Sequence, residues 1–144
     1  SMKVFYGCDG LNNINTIEGF DINTIPQEIS YLSHFDANSS EEATKTFVEN
    51  YKAKFNGETP SQFAAAAYDC VYALYEALNA AGESKVSASM SAEEFCRVLK
   101  EQFDGSFTYS GVTGSNMKWT RGTSGTGYVE KTATKFVVKE ADNA

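Results

Sequence analysis

The sequence predicts an α/β fold, and three observations carry that reading. A short apolar run, Val4 to Tyr6, enters a turn in which an acid lies between glycines, Gly7-Cys8-Asp9-Gly10. Three stretches in the middle of the chain repeat apolar residues at helical spacing. After Gly105 the pattern changes to alternation, as in strands. Amphipathic helices rich in small apolar residues usually cover a sheet. Strand material is thin here, so part of that sheet is expected to come from elsewhere.

Val4 to Tyr6 reads as a short buried strand. Leu11, Ile14 and Ile17 are three apart, which fits about two turns of helix, ended by Glu18-Gly19. Pro26 interrupts the mixed segment that follows, and Ile29, Tyr31 and Leu32 suggest extended structure. Ser39-Ser40 and then Glu41-Glu42 mark a helix start. Ala43, Phe47, Tyr51 and Phe55 follow at four-residue steps, with Val48 beside them, so a helix is expected from Ser40 to Phe55.

Pro60-Ser61 opens the strongest helix, and Gly82 lies just past its end. Phe63, Ala67, Cys70, Val71, Leu74, Ala77 and Leu78 share one broad face, and Gln62, Asp69, Glu76 and Asn79 form a narrower polar stripe. A largely buried helix of about 20 residues is expected, with its polar stripe outward and Tyr68, Tyr72 and Tyr75 at the core edge. Ser91-Ala92-Glu93-Glu94 is a capping-box pattern, and Phe95, Val98, Leu99 and Phe103 make the third helix amphipathic. Phe107, Tyr109 and Val112 alternate before Thr113-Gly114; Met117 and Trp119 suggest a further strand, and Lys131 to Lys139 a terminal one. The last residues, Glu140 to Ala144, should fray.

The chain has 144 residues and a formal net charge of -7. One core of fair size is affordable at this length. An acidic chain without a basic cluster is a poor candidate for nucleic acid or an anionic membrane. No run approaches the ~20 apolar residues of a membrane span. Ser1-Met2 lacks the regions of a signal peptide and reads as an artificial start, so the chain is expected to be a piece of something longer.

Several motifs invite chemistry. Cys8, Cys70 and Cys96 lack zinc-site spacing, and the latter two read as buried free thiols within helices. No metal and no cofactor is expected. His34, the single histidine, has no sequence-local partner for a catalytic triad. Gly122 to Gly127 is glycine-rich but lacks the phosphate-loop pattern, and reads as a hairpin loop. Asp9 is different. Ligands of open α/β sheets bind beyond the carboxyl ends of strands, where a loop leads into a helix. An aspartate there can accept hydrogen bonds from an ammonium group. It can equally cap the helix expected near Leu11, and local pattern does not choose between the two.

These landmarks, taken in order, resemble the C-terminal part of type I periplasmic solute-binding proteins, the branched-chain amino-acid receptor family of ABC transporters. VFYGCDG looks like the family's strand ending in G-x-D/E-G, and IEGF like its following crossover. FVENYKAKFNGETPSQFAAAAYDCVYALYEALNAAG is similar to its central helical block, and FTYSGVTG with Trp119 and Gly122 to its ending. YDC stands where the family has YDA, and the Arg121 to Gly127 loop has more glycine and less acid than usual.

The resemblance implies an incomplete three-layer α/β fold with parts of both lobes. Residues 1–18 would give a second-lobe strand and helix, 19–110 mainly first-lobe structure, and 111–144 the return crossover and terminal strands. It implies crossovers at Glu18-Gly19 and between Gly111, Gly114 and Trp119. It implies that Asp9 grips a ligand ammonium group, with Gly10 and Tyr6 beside it, in a hinged cleft. The intact receptor would be extracellular or periplasmic, with a lipid anchor as one option. It would bind a small solute, an amino acid first of all, and deliver it to a membrane permease, without catalysis. Self-association of the fragment through exposed apolar faces is also expected. The alternatives are a sensory domain of the same fold, a small α/β hydrolase dependent on His34, and an interaction-only domain.

Overall fold

A computed structural model describes residues 3–12, 14–121 and 127–138. The chain divides into two compact units, Ser1–His34 with Ala133–Ala144, and Phe35–Thr132.

The first unit is built on a three-stranded sheet. Strand β2 (Glu28–Ser33) is central, with β1 (Val4–Gly7) parallel on one side and β6 (Thr134–Val137) antiparallel on the other. The extended segment around Ile29 and Tyr31 is therefore the sheet's middle strand, with Ile29 and Ser30 buried. Tyr31 faces Phe136 in register, and their rings stack at 5.5 Å. The β6 strand is shorter than the expected Lys131 to Lys139 run, and Val138 extends its edge by donating to the Ile29 carbonyl at 2.8 Å.

Two expectations fail in this unit. Strand β1 is not buried. Among the described residues it pairs with β2 alone, and Phe5 and Tyr6 are exposed, Tyr6 by 72%. Nor do Leu11, Ile14 and Ile17 lie on an α-helix. Asp9–Leu11 and Ile14–Thr16 are separate 3₁₀ turns, closed by Asn12 N–H to the Asp9 carbonyl and Ile17 N–H to the Ile14 carbonyl. The spacing is helical, but Gly10, Asn12, Asn15 and Thr16 are weak helix formers, too many for so short a segment to propagate.

The second unit holds three helices and an antiparallel meander. Helix α1 (Glu42–Lys54) buries Thr44, Phe47 and Val48, while Ala43 is exposed. Its cap position is Glu41 rather than a serine; Ser39 Oγ instead accepts from the Glu41 N–H. Helix α2 (Gln62–Ala81) starts on Ser61, whose hydroxyl accepts from the Ala64 N–H, and ends at Gly82 with φ of 87°. Helix α3 (Ala92–Phe103) has the full capping box between Ser91 and Glu94. Strands β3 (Thr108–Gly111), β4 (Gly114–Arg121) and β5 (Gly127–Glu130) follow in order. Arg121 pairs with Gly127, while the glycine-rich stretch at 122–126 and the end from 139 lie outside the described residues. Phe35, Phe47, Val48 and Ala65 form a core cluster, and Phe103, Phe107 and Trp119 make a second aromatic contact between α3 and the meander.

Helix α2 departs from the expected polarity: Gln62 and Asp69 of the polar stripe are buried, while Ala77 is buried and Glu76 and Asn79 are exposed as expected. Its buried stripe is Gln62, Ala65, Asp69, Ala73 and Ala77, at helical spacing. Phe63, Cys70, Val71 and Leu74 are exposed. Alanines let α3 and β3 approach closely on the inner side. Larger side chains at those positions would hold the neighbours away. All three cysteines are exposed, so Cys70 and Cys96 are not the buried thiols expected. Tyr68, Tyr72 and Tyr75 lie at the rim, partly exposed.

Candidate functional site

Strand β1 delivers Gly7 at its end, and the first 3₁₀ turn follows at once. Gly7 is there for close approach. A Cβ at this position would come within 2.6 Å of Leu11 Cγ, so the turn folds back over the strand end only because none is present. Gly10 has open space around its Cα, so no packing requirement fixes it as glycine. Cys8, not Asp9, occupies the cap position, with no side-chain cap bond. The helix-cap reading of Asp9 therefore fails: there is no α-helix to cap, and the acid is inside the turn. Asp9, Gly10 and Tyr6 are all exposed, within six residues of one another on one strand end.

Around them the sheet supplies charge. Lys135 Nζ donates to Glu28 Oε1 at 2.8 Å and lies 5.3 Å from the centre of the Tyr6 ring. The lysine hydrogen bond, with a second from Ser30 Oγ, holds the Glu28 carboxyl below its usual range. The same contact raises the Lys135 ammonium. Tyr31 Oη reaches Asn12 Oδ1 at 3.4 Å, tying the central strand to the end of the turn. Glu18 and Gly19 are exposed in this unit, Gly19 with φ of 80°. The chain passes from one unit to the other at His34-Phe35 and at Thr132-Ala133.

The second unit contains a more organised carboxylate, which sequence reasoning placed on a solvent-facing polar stripe. Asp69 is buried on α2. Its Oδ1 accepts from the Val112 N–H at 2.9 Å, and its Oδ2 from the Thr113 N–H at 2.8 Å and the Thr113 hydroxyl at 2.5 Å. Lys131 Nζ then donates to Thr113 Oγ1 at 2.6 Å. Gly111 makes room: a Cβ there would come within 2.5 Å of Asp69 Cγ. Burial and then the Asp69 charge push the Tyr109 hydroxyl up to about 12. Gly111 and Gly114, expected at a crossover, thus flank the turn that receives Asp69, inside the second unit. The signal that could have revealed this was present as two separate motifs, YDC and GVTG, with Asp69 and Val112 43 positions apart in sequence.

The described residues of the second unit include the following concavities. One of about 270 Å³ is lined by Gly114 to Met117 and Glu130 to Thr132. The other, of about 250 Å³, is lined by Phe47, Asn50, Tyr51, Lys54, Phe55 and Tyr68 and is mainly apolar. Among the described residues no cluster of three or more His, Cys, Asp or Glu is placed to hold a metal. No described helix is long and apolar enough to cross a membrane.

This arrangement defines a mixed α/β protein with two three-stranded sheets and an exposed strand-end turn. No family model matches the chain, and no curated protein does. Among solved structures it is similar to one described as a "putative branched-chain amino acid ABC transporter from Rhodospirillum rubrum", at 26% identity and a TM-score of 0.63. The match covers 95% of this chain and 35% of that one, so the chain spans about a third of that protein's length. The likeness supports a distant relationship to a component of an amino-acid transporter.

Proposed function

We propose that the chain is the C-terminal portion of a type I solute-binding receptor and that it contributes one wall of an amino-acid site. The observation that carries this reading is the likeness to the transporter protein over 95% of the chain. The position of Asp9 agrees with it: an exposed acid on the turn after a strand end is where an α/β sheet presents groups to a ligand. Asp9 would accept hydrogen bonds from the solute ammonium, with the Gly10 backbone and the Tyr6 ring beside it. Glu18-Gly19 and the Gly111 to Trp119 stretch would be crossovers between lobes in the intact receptor. The receptor would work outside the cytoplasmic membrane, pass its solute to a permease, and catalyse nothing.

The test is a heteronuclear NMR titration of this chain with leucine, isoleucine, valine and a control panel of other amino acids. Saturable shifts at the amides of Gly7, Asp9 and Gly10 are expected, and Asp9→Asn should abolish them. Shifts confined to the second unit, or identical shifts in Asp9→Asn, would remove Asp9 from the site.

A further inference from the structure

Lys135 reaches from the last strand of the first unit to Tyr6, and the solute-binding reading gives it no role. Side chains alternate along a strand, and the register sets Val4 beside Glu28, Tyr6 beside Ser30 and Lys135 beside Leu32. Tyr6, Glu28, Ser30 and Lys135 therefore share one face of the sheet, drawn from all three of its strands. Ser30 is fully buried, and its hydroxyl donates to Glu28 Oε1 at 2.8 Å. The same oxygen accepts from Lys135 Nζ at 2.8 Å, and that ammonium lies 5.3 Å from the centre of the Tyr6 ring. These contacts form a chain that starts at a buried point in the central strand and ends on an exposed ring.

We infer that Lys135 is a positioning residue: gripped by Glu28, it fixes the Tyr6 ring at the strand end where the solute would bind. With 72% of its surface exposed, the ring has little packing to hold it. A cation over the face of a tyrosine attracts it. The cation is itself held, so the ring gains a fixed partner rather than a mobile one. The Lys135 ammonium is raised, first by the Glu28 hydrogen bond and to a smaller extent by Tyr6, so its charge is present at neutral pH. A ring ordered in advance loses less freedom when a solute arrives. The inference rests on the reading of Tyr6 as a solute contact; the contacts that hold the ring do not.

The test is the leucine titration repeated on the wild-type chain, Lys135→Gln, Lys135→Arg and Glu28→Gln, with the Tyr6 side-chain couplings measured before leucine is added. Lys135→Gln should spread Tyr6 over several rotamers and weaken leucine binding about 2- to 5-fold, the range of an exposed cation–ring contact. Lys135→Arg keeps a charge that stacks on a ring and should restore both. Glu28→Gln still accepts from Ser30 but loses its grip on the lysine, and should behave as Lys135→Gln does. Glu28 and Lys135 are exposed, so amides outside the three strands should be unchanged in every variant. Saturable leucine binding of equal affinity in the wild type and Lys135→Gln, or Tyr6 couplings that ignore both neutral substitutions, would overturn the positioning role alone. No saturable shift in the wild type with leucine or any other amino acid of the panel would overturn the solute-binding reading, and this role with it.

Discussion

Asp9 and Asp69 are both aspartates beside cysteine, Cys8-Asp9 and Asp69-Cys70, yet the two units use them in opposite ways. Asp9 is exposed on a 3₁₀ turn at the end of an edge strand. Asp69 is buried, and three donors from one turn close on its two oxygens. A carboxylate whose lone pairs are already filled by backbone amides is a structural anchor, with little left to offer a solute. One that stands outside the core retains access to a ligand. The contrast assigns a stabilising role to the second acid and leaves the first exposed, where the proposed binding role would use it.

The largest expected effect breaks the anchored side. Asp69→Ala would leave the Val112 and Thr113 amides without their acceptor in a buried place, at a cost of about 3 kcal/mol. Urea unfolding should show this as a lower midpoint. Asp9→Ala, measured in parallel, should change stability by less than about 0.5 kcal/mol, as for an exposed position. Equal losses from the two would end the comparison.

Gly111→Ala should cost somewhat less, about 2 kcal/mol, because the new methyl group meets the Asp69 carboxylate and the Tyr109 ring. Faster amide exchange at Val112 and Thr113 would locate the damage. Gly7→Ala should cost about 1 kcal/mol, since what it meets is the end of the Leu11 side chain. Leu11 can move where a carboxylate held by three bonds cannot. A Gly7→Ala, Leu11→Ala double variant should show a loss smaller than the sum of the single ones.

Titration sharpens the contrast with smaller effects. The Tyr109 hydroxyl keeps its proton to about 12 in the folded chain, above its ordinary value of 10.0. Its contribution is therefore full below pH 10 and is lost as pH rises toward 12. Absorbance titration of tyrosinate should lose its latest component in Tyr109→Phe. In the first unit the sign is opposite. Glu28 is depressed by Lys135, so its contribution is present above the ordinary carboxyl value and is lost as pH falls through the lower folded one. Because both groups are exposed, added salt should erase most of it, whereas the Tyr109 step should persist.

The extent to which the site was legible follows from the range of each interaction. The capping box of α3, the Ser61 start and Gly82 stop of α2, and the central strand at Ile29 to Leu32 depend on residues within a few positions of one another, and all were readable. The two-turn helix after Asp9 was misread because three apolar residues at the right spacing conceal weak formers between them. The buried side of α2 was misread for another reason. Periodicity finds the apolar side of a helix, but it assumes that the apolar side is the inner one.

The sequence by itself determined local units: where α2 and α3 begin and end, that Ile29 to Leu32 extends, and that an acid stands between glycines after the first strand. Only the tertiary structure decided which side of α2 faces inward. It also showed that YDC and GVTG are halves of one hydrogen-bonded junction, and that Gly111 makes room for a carboxylate from α2. Capping and propensity act between neighbours in the chain, so they are written locally. Burial and the pairing of a buried carboxylate with distant amides depend on which segments meet, and that is fixed only when the chain has folded.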